Sequence, residues 1–206
     1  DKRYEDPASV AKALADVGGA ERITISRFSP HPAYASHTLA ELARAAGVTD
    51  VEMYIRIIRE GKAGDSDAGV ICRAMTEEDI RDFYRKPWVM VSSDGGIGAR
   101  HPRGAGTFPR VLGLFVREKR WLTLPQAIHK MTALPAKRLG WKDRGVLREG
   151  AFADLVLFDP ETVMDRATFA KPFETPVGIA KVFVNGVVVW EGGKTTGARP
   201  GRVLRG

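Results

Sequence analysis

Apolar and polar positions alternate along the chain with two periods, one helical and one of strand type. Residues 7–17 (PASVAKALADV) carry apolar side chains at helical spacing and stop at Gly18 and Gly19, which predicts a helix. In residues 21–28 (ERITISRF) Ile23 and Ile25 alternate with Thr24 and Ser26, a strand pattern that runs into the rigid Ser29-Pro-His-Pro32. A helix is expected over 39–46, with Thr38 as its cap and Gly47 as its stop. A second follows over 51–60, capped by Asp50 and ended by Gly61. The polar stretch 64–68 leads to a short strand at 69–73, then to a helix at 77–85 whose acidic first turn suits the helix dipole.

The next stretch, 88–113 (WVMVSSDGGIGARHPRGAGTFPRVLG), organises the rest. Residues 88–93 are apolar, β-prone and of strand length, and they end at Asp94-Gly95-Gly96. A buried strand with a carboxylate at its carboxyl end is the expectation, and α/β enzymes keep their chemistry at that end. Asp before Gly is also ordinary turn chemistry, so local sequence leaves both roles open for Asp94. Alternation of β and α up to this point favours a parallel sheet with covering helices.

Beyond the loop, helices are expected at 111–119, at 125–131 behind the capping pair Thr123 and Gln126, and from Thr132 to Leu139. From Trp141 the pattern turns β-rich. Residues 153–158 read as a buried strand, and 179–184 and 187–190 flank Asn185-Gly186, a strong hairpin signal.

Composition narrows the possible functions. No apolar run reaches the roughly 20 residues of a membrane span, and residues 1–7 lack a signal-peptide core, so a cytoplasmic location and no membrane partner are expected. The net charge of +7 invites a nucleic-acid reading. Basic residues are dispersed and interleaved with acids in helical stretches such as 56–60 and 117–120, and the tail 194–205 is basic without acids; a nucleic-acid partner is not expected. A single cysteine, Cys72, excludes internal disulfides and cysteine-cluster metal sites.

Several stretches together carry a resemblance. They are Ser93-Asp94-Gly95, His101-Pro-Arg103, 106–113 (GTFPRVLG), Lys130-Met-Thr132, 134–138 (LPAKR), Arg144-Gly145, 150–160 (GAFADLVLFDP), 165–169 (DRATF), Val184-Asn-Gly186 and 196–205 (TGARPGRVLR). In this order they make residues 76–206 similar to the carboxyl-terminal part of D-aminoacylases, the N-acyl-D-amino-acid deacylases of the amidohydrolase superfamily. The resemblance implies an α/β fold: the carboxyl-terminal portion of a metal-dependent (β/α)8 TIM-like barrel plus part of a small β-sandwich domain. It places the last barrel strands and helices in residues 1–140 and a share of the β domain in 141–206. A whole barrel needs about 250 residues, so the chain is expected to be a fragment, inactive alone, with its main metal ligands upstream.

The implied reaction is hydrolysis of the amide of an N-acyl-D-amino acid, with one or two zinc ions. By resemblance Asp94 is the catalytic acid–base group and a candidate metal ligand, and Arg103 holds the substrate carboxylate. His101 reads as loop structure. The family commonly has a tyrosine between two prolines and a serine or glycine shortly after; this chain has His31 between Pro30 and Pro32, then Ser36. His31 and Ser36 are therefore candidate substrate-binding residues in altered form. A dihydroorotase-like or dipeptidase-like amidohydrolase remains an alternative, as does a non-catalytic truncated relic serving as an interaction module. The oligomeric state is not legible.

Overall fold

The structure, a computed structural model, describes residues 2–62, 68–96 and 101–204, and its contacts divide the chain into two units, Asp1–Glu77 and Glu78–Gly206. The expected polar stretch at 64–68 falls almost wholly outside the described residues, as do loop residues 97–100 and Arg205.

In the first unit, helix α1 (Pro7–Asp16) starts where the Asp6 carboxylate accepts the Ser9 N–H at 2.8 Å. Strand β1 (Ile23–Phe28) pairs antiparallel with β2 (Ala68–Cys72), from Ile23 opposite Cys72 to Phe28 opposite Ala68, with a register shift between Ile25 and Arg27. Helix α2 (Leu39–Ala46) is capped by Thr38 as expected, and the cap is a full capping box: Glu41 donates its N–H to Thr38 Oγ1, and its carboxylate accepts the Thr38 N–H. The Thr38 backbone N–H, and after it the Thr38 side chain, hold the Glu41 carboxyl below its ordinary range. Helix α3 (Asp50–Lys62) is capped by Thr49 rather than Asp50, because Thr49 and Glu52 exchange the same reciprocal bonds, and it runs on through Gly61. Val10, Leu14, Ile25, Phe28, Leu39 and Met53 form the core, so both faces of the α/β pattern meet in one apolar cluster.

The second unit begins within helix α4 (Glu77–Arg85). Residues 88–93 do not form the expected buried strand. Trp88 is 70 % exposed, Val91 is 7 % exposed, and no ladder partner lies alongside among the described residues. A strand needs a neighbour for its N–H and C=O groups; here those groups turn elsewhere, Val91 donating to the Lys130 carbonyl at 3.1 Å. Nor do parallel strands occur among the described residues, where every paired strand is antiparallel.

Part of the expected loop is helical. Helix α5 (Arg103–Arg110) forms despite Gly104, Gly106 and Pro109, and continues without a break into a π-helical segment, Val111–Glu118, where an α-helix is expected. Pro109 withholds an N–H from the preceding turn, and the widened turns follow at once. Gly106 and Gly113 serve contact. The Asp165 carboxylate packs where a side chain at Gly106 would be, and a methyl at Gly113 would meet the Val163 carbonyl oxygen at 2.5 Å.

Helix α6 (Leu124–Met131) keeps its capping box, while α7 (Ala133–Arg138) does not use Thr132 as a side-chain cap; that hydroxyl donates back to the Ile128 carbonyl at 2.8 Å. Strands β3 (Leu155–Phe158), β4 (Ile179–Val184), β5 (Val187–Glu191) and β6 (Lys194–Thr195) form one sheet in that order. Asn185 and Gly186 turn β4 into β5 with φ of 49° and 82°, both left-handed. Strand β3 is not buried: Leu155, Val156 and Leu157 are exposed. Separate motifs close one network here, with Arg144 bonded to Asp154 and Asn185, and the Asn185 amide donating to the Pro200 carbonyl at 2.7 Å. The core joins Val91, Val111, Leu112, Leu122, Ala127 and Val163, with Phe158 and Ile179 of the sheet packed on it.

Candidate active site

Asp94 and Arg103, nine positions apart, meet. Arg103 Nη2 lies 2.6 Å from Asp94 Oδ2, and its Nε donates to the Asp94 carbonyl at 3.1 Å. One planar guanidinium thus grips both the carboxylate and the backbone of the same residue. Asp94 has φ 46°, in the left-handed region that non-glycine residues enter at a cost and aspartate tolerates better than most. Ser92 and Ser93 secure the bend, their hydroxyls accepting the N–H groups of Asp94 and Gly95.

Close approach of backbone to backbone brings loop and helix together. A Cβ at Gly95 would sit 2.7 Å from Gly104 Cα, so only glycine lets the Asp94 bend rest on the first turn of α5. Pro102 has no side chain to cap that helix; His101 supplies the acceptor, its Nδ1 taking the Arg103 N–H at 3.0 Å. The imidazole edge meets the Phe169 ring, with centroids 5.4 Å apart. Burial, then the Arg103 and Arg110 charges, hold His101 below its ordinary 6.5, against an opposing pull from Asp94. A neutral Nδ1 acceptor is what this geometry requires. At the far end of α5, Arg110 Nε donates to Asp165 Oδ2 at 2.8 Å, and the Asp165 side chain is only 3 % exposed.

His31 and Ser36 belong to the first unit. His31 Nε2 faces Glu60 Oε2 at 3.2 Å, and its ring stacks on Tyr34 with centroids 4.9 Å apart. Ser36 is exposed at φ 71° and donates its N–H to the Ile25 carbonyl at 2.8 Å, so the loop folds back along β1. Both residues have defined roles in that loop.

One residue with no role foreseen from its motif is Lys130. Its ammonium is buried, with 4 % of the residue exposed, and donates to the Lys86 carbonyl and, at 2.9 Å, to the Val89 carbonyl. Its place three residues after Ala127, on the apolar face of α6, was the available signal. Among the described residues no group of three or more His, Cys, Asp or Glu side chains gathers, so a metal at Asp94 would need its other ligands from outside them. No helix among the described residues is long and apolar enough to cross a membrane.

Residues 7–190 match the amidohydrolase family. The chain belongs to the amidohydrolase family. It is 43 % identical over 185 residues to an N-acyl-D-glutamate deacylase of Alcaligenes xylosoxydans xylosoxydans, a match covering 89 % of this chain and 36 % of that protein. A crystal structure of N-acyl-D-glutamate deacylase from Bordetella bronchiseptica, complexed with zinc and a phosphonate mimic of the tetrahedral intermediate, superposes with a TM-score of 0.79 at 42 % identity, covering 94 % of this chain and 39 % of that one. A D-aminoacylase structure with a binuclear metal centre gives a TM-score of 0.80 at 33 % identity, covering 99 % and 46 %. The resemblance carried by the sequence motifs is thereby confirmed. This amidohydrolase chain spans about a third of the length of its curated deacylase relative.

Proposed function

We propose that this amidohydrolase chain is the carboxyl-terminal part of a zinc-dependent N-acyl-D-amino-acid deacylase, with residues 1–140 completing a barrel and 141–206 contributing to a small β domain. The observation that carries the reading is the grip of Arg103 on Asp94. An exposed ion pair of this kind contributes only about 0–1 kcal/mol, so a substrate carboxylate can displace Asp94 from the guanidinium at little cost. Arg103 then fixes the amino-acid end of the substrate by two parallel hydrogen bonds. Asp94, released, accepts a proton from the attacking water and delivers it to the departing nitrogen, while the hydroxyl joins the acyl carbon. Zinc, held with ligands from outside the described residues and with Asp94 as a candidate ligand, would supply polarisation of the carbonyl and a more acidic water. By family resemblance, His31 and Ser36 are proposed as substrate-binding residues.

The test is a longer polypeptide that includes the upstream ligands, assayed with N-acetyl-D- and N-acetyl-L-amino acids with zinc and after chelation. Asp94→Asn is expected to lower kcat by about 10²- to 10⁴-fold, the usual worth of a general acid–base group. Arg103→Lys is expected to lower kcat/KM about 10- to 100-fold, the loss of one charge-assisted hydrogen bond. Full turnover by Asp94→Asn, or preference for L-substrates, sinks the proposal.

A further inference from the structure

Lys130 is a costly residue to bury. Its ammonium is the charge of a side chain that could turn to water or to the carbonyls at the end of its own helix, and burial pushes it below its ordinary range. Instead it crosses to the segment that leads to Asp94 and binds the carbonyls of Lys86 and Val89. Its own carbonyl accepts the Val91 N–H, so one residue of α6 holds this segment at three points. Beyond Val91 the chain is tied again at each step: Ser92 and Ser93 cap the bend, and Arg103 holds Asp94. A methionine would fill the same space without an ammonium to desolvate, so packing alone does not account for a lysine here. What an ammonium adds is direction, since its hydrogen bonds select one register of the segment against α6.

We propose that Lys130 is a positioning residue that sets where Asp94 stands in the site, acting through the carbonyls of Lys86 and Val89. This rests on the deacylase reading of Asp94. A displacement of about 1 Å in a reacting group can cost on the order of 100-fold in rate, and Lys130 guards against such a slip.

The longer zinc-loaded polypeptide and its Lys130→Met, Lys130→Arg and Asp94→Asn variants are compared by kinetics with N-acetyl-D-amino acids, by thermal midpoint, and by amide hydrogen exchange of the peptide covering 88–96. Lys130→Met is expected to lower kcat about 100-fold with KM within about twofold, while the thermal midpoint holds. Exchange in 88–96 should rise about tenfold, and Lys130→Arg should restore part of both losses. The proposal is overturned if Lys130→Met keeps kcat within about twofold of wild type, or loses activity with exchange at 88–96 unchanged. If Lys130→Met does not fold, Lys130→Arg decides: wild-type exchange at 88–96 together with a lost kcat overturns positioning, and partial loss of both supports it. A wild-type polypeptide without deacylase activity counts against the proposed function alone, and exchange at 88–96 in Lys130→Met then decides the positioning role.

Discussion

His101 stands beside the candidate acid–base group and yet its geometry is that of a cap. Its Nδ1 must stay unprotonated to accept the Arg103 N–H, and its surroundings already favour the neutral ring. Because its folded value lies below the unfolded 6.5, the unfolded chain binds the proton more readily as pH falls. The stabilising contribution of the neutral ring is therefore complete above about 6.5 and is lost progressively as pH drops towards the folded value. Protection of the Arg103 amide, its exchange rate compared with that of an unstructured peptide at the same pH, is expected to fall as pH drops from neutral towards that value, and His101→Asn, which keeps an acceptor but does not titrate, should abolish this dependence. Equal pH dependence in both proteins would refute the capping role. Asp94 and Arg103 could be picked out from sequence because their residue types and spacing recur in a known family. The role of Lys130 could not, since a lysine is burdened or useful according to what lies across from it.

Among the elements, the docking of the Asp94 bend on α5 makes a sharp asymmetric prediction. Gly95→Ala places a methyl 2.7 Å from the Gly104 Cα and should lower the thermal midpoint, whereas Gly104→Ala meets its nearest atom at 3.8 Å and should leave the bend in place. Circular dichroism melts of the two variants decide it, and equal destabilisation would contradict the close approach. Local codes were reliable where they are self-contained: the cap at Thr38, the box at Thr123 and the Asn185-Gly186 turn need only a few neighbouring residues. They failed at α5, whose glycines and proline argue against a helix, because contacts with Gly95 and Asp165 outweigh the propensities. They failed again at 88–93, whose apolar run says nothing of whether a partner strand is beside it.

At the scale of the whole molecule, the apolar run at 88–93 and the exposed β3 present surface suited to further neighbours. If 88–93 becomes a barrel strand in a longer polypeptide, Trp88 should be shielded there. Acrylamide quenching, read as the difference between wild type and Trp88→Phe, is expected to be strong in the 206-residue chain and several-fold weaker in the longer one. Equal quenching would argue against barrel completion. By itself the sequence determined the helices and turns written in short-range patterns, the hairpin, and the family, because motifs and periodicities are properties of residues close in the chain. Only the tertiary structure decided that Arg103 grips Asp94 through a glycine contact, that His101 caps a helix, that Arg110 is held by buried Asp165, and that Lys130 reaches across from α6. Apart from the His101 cap, whose partners are two residues apart, each depends on groups nine or more positions apart being brought within hydrogen-bonding distance, which no local pattern encodes.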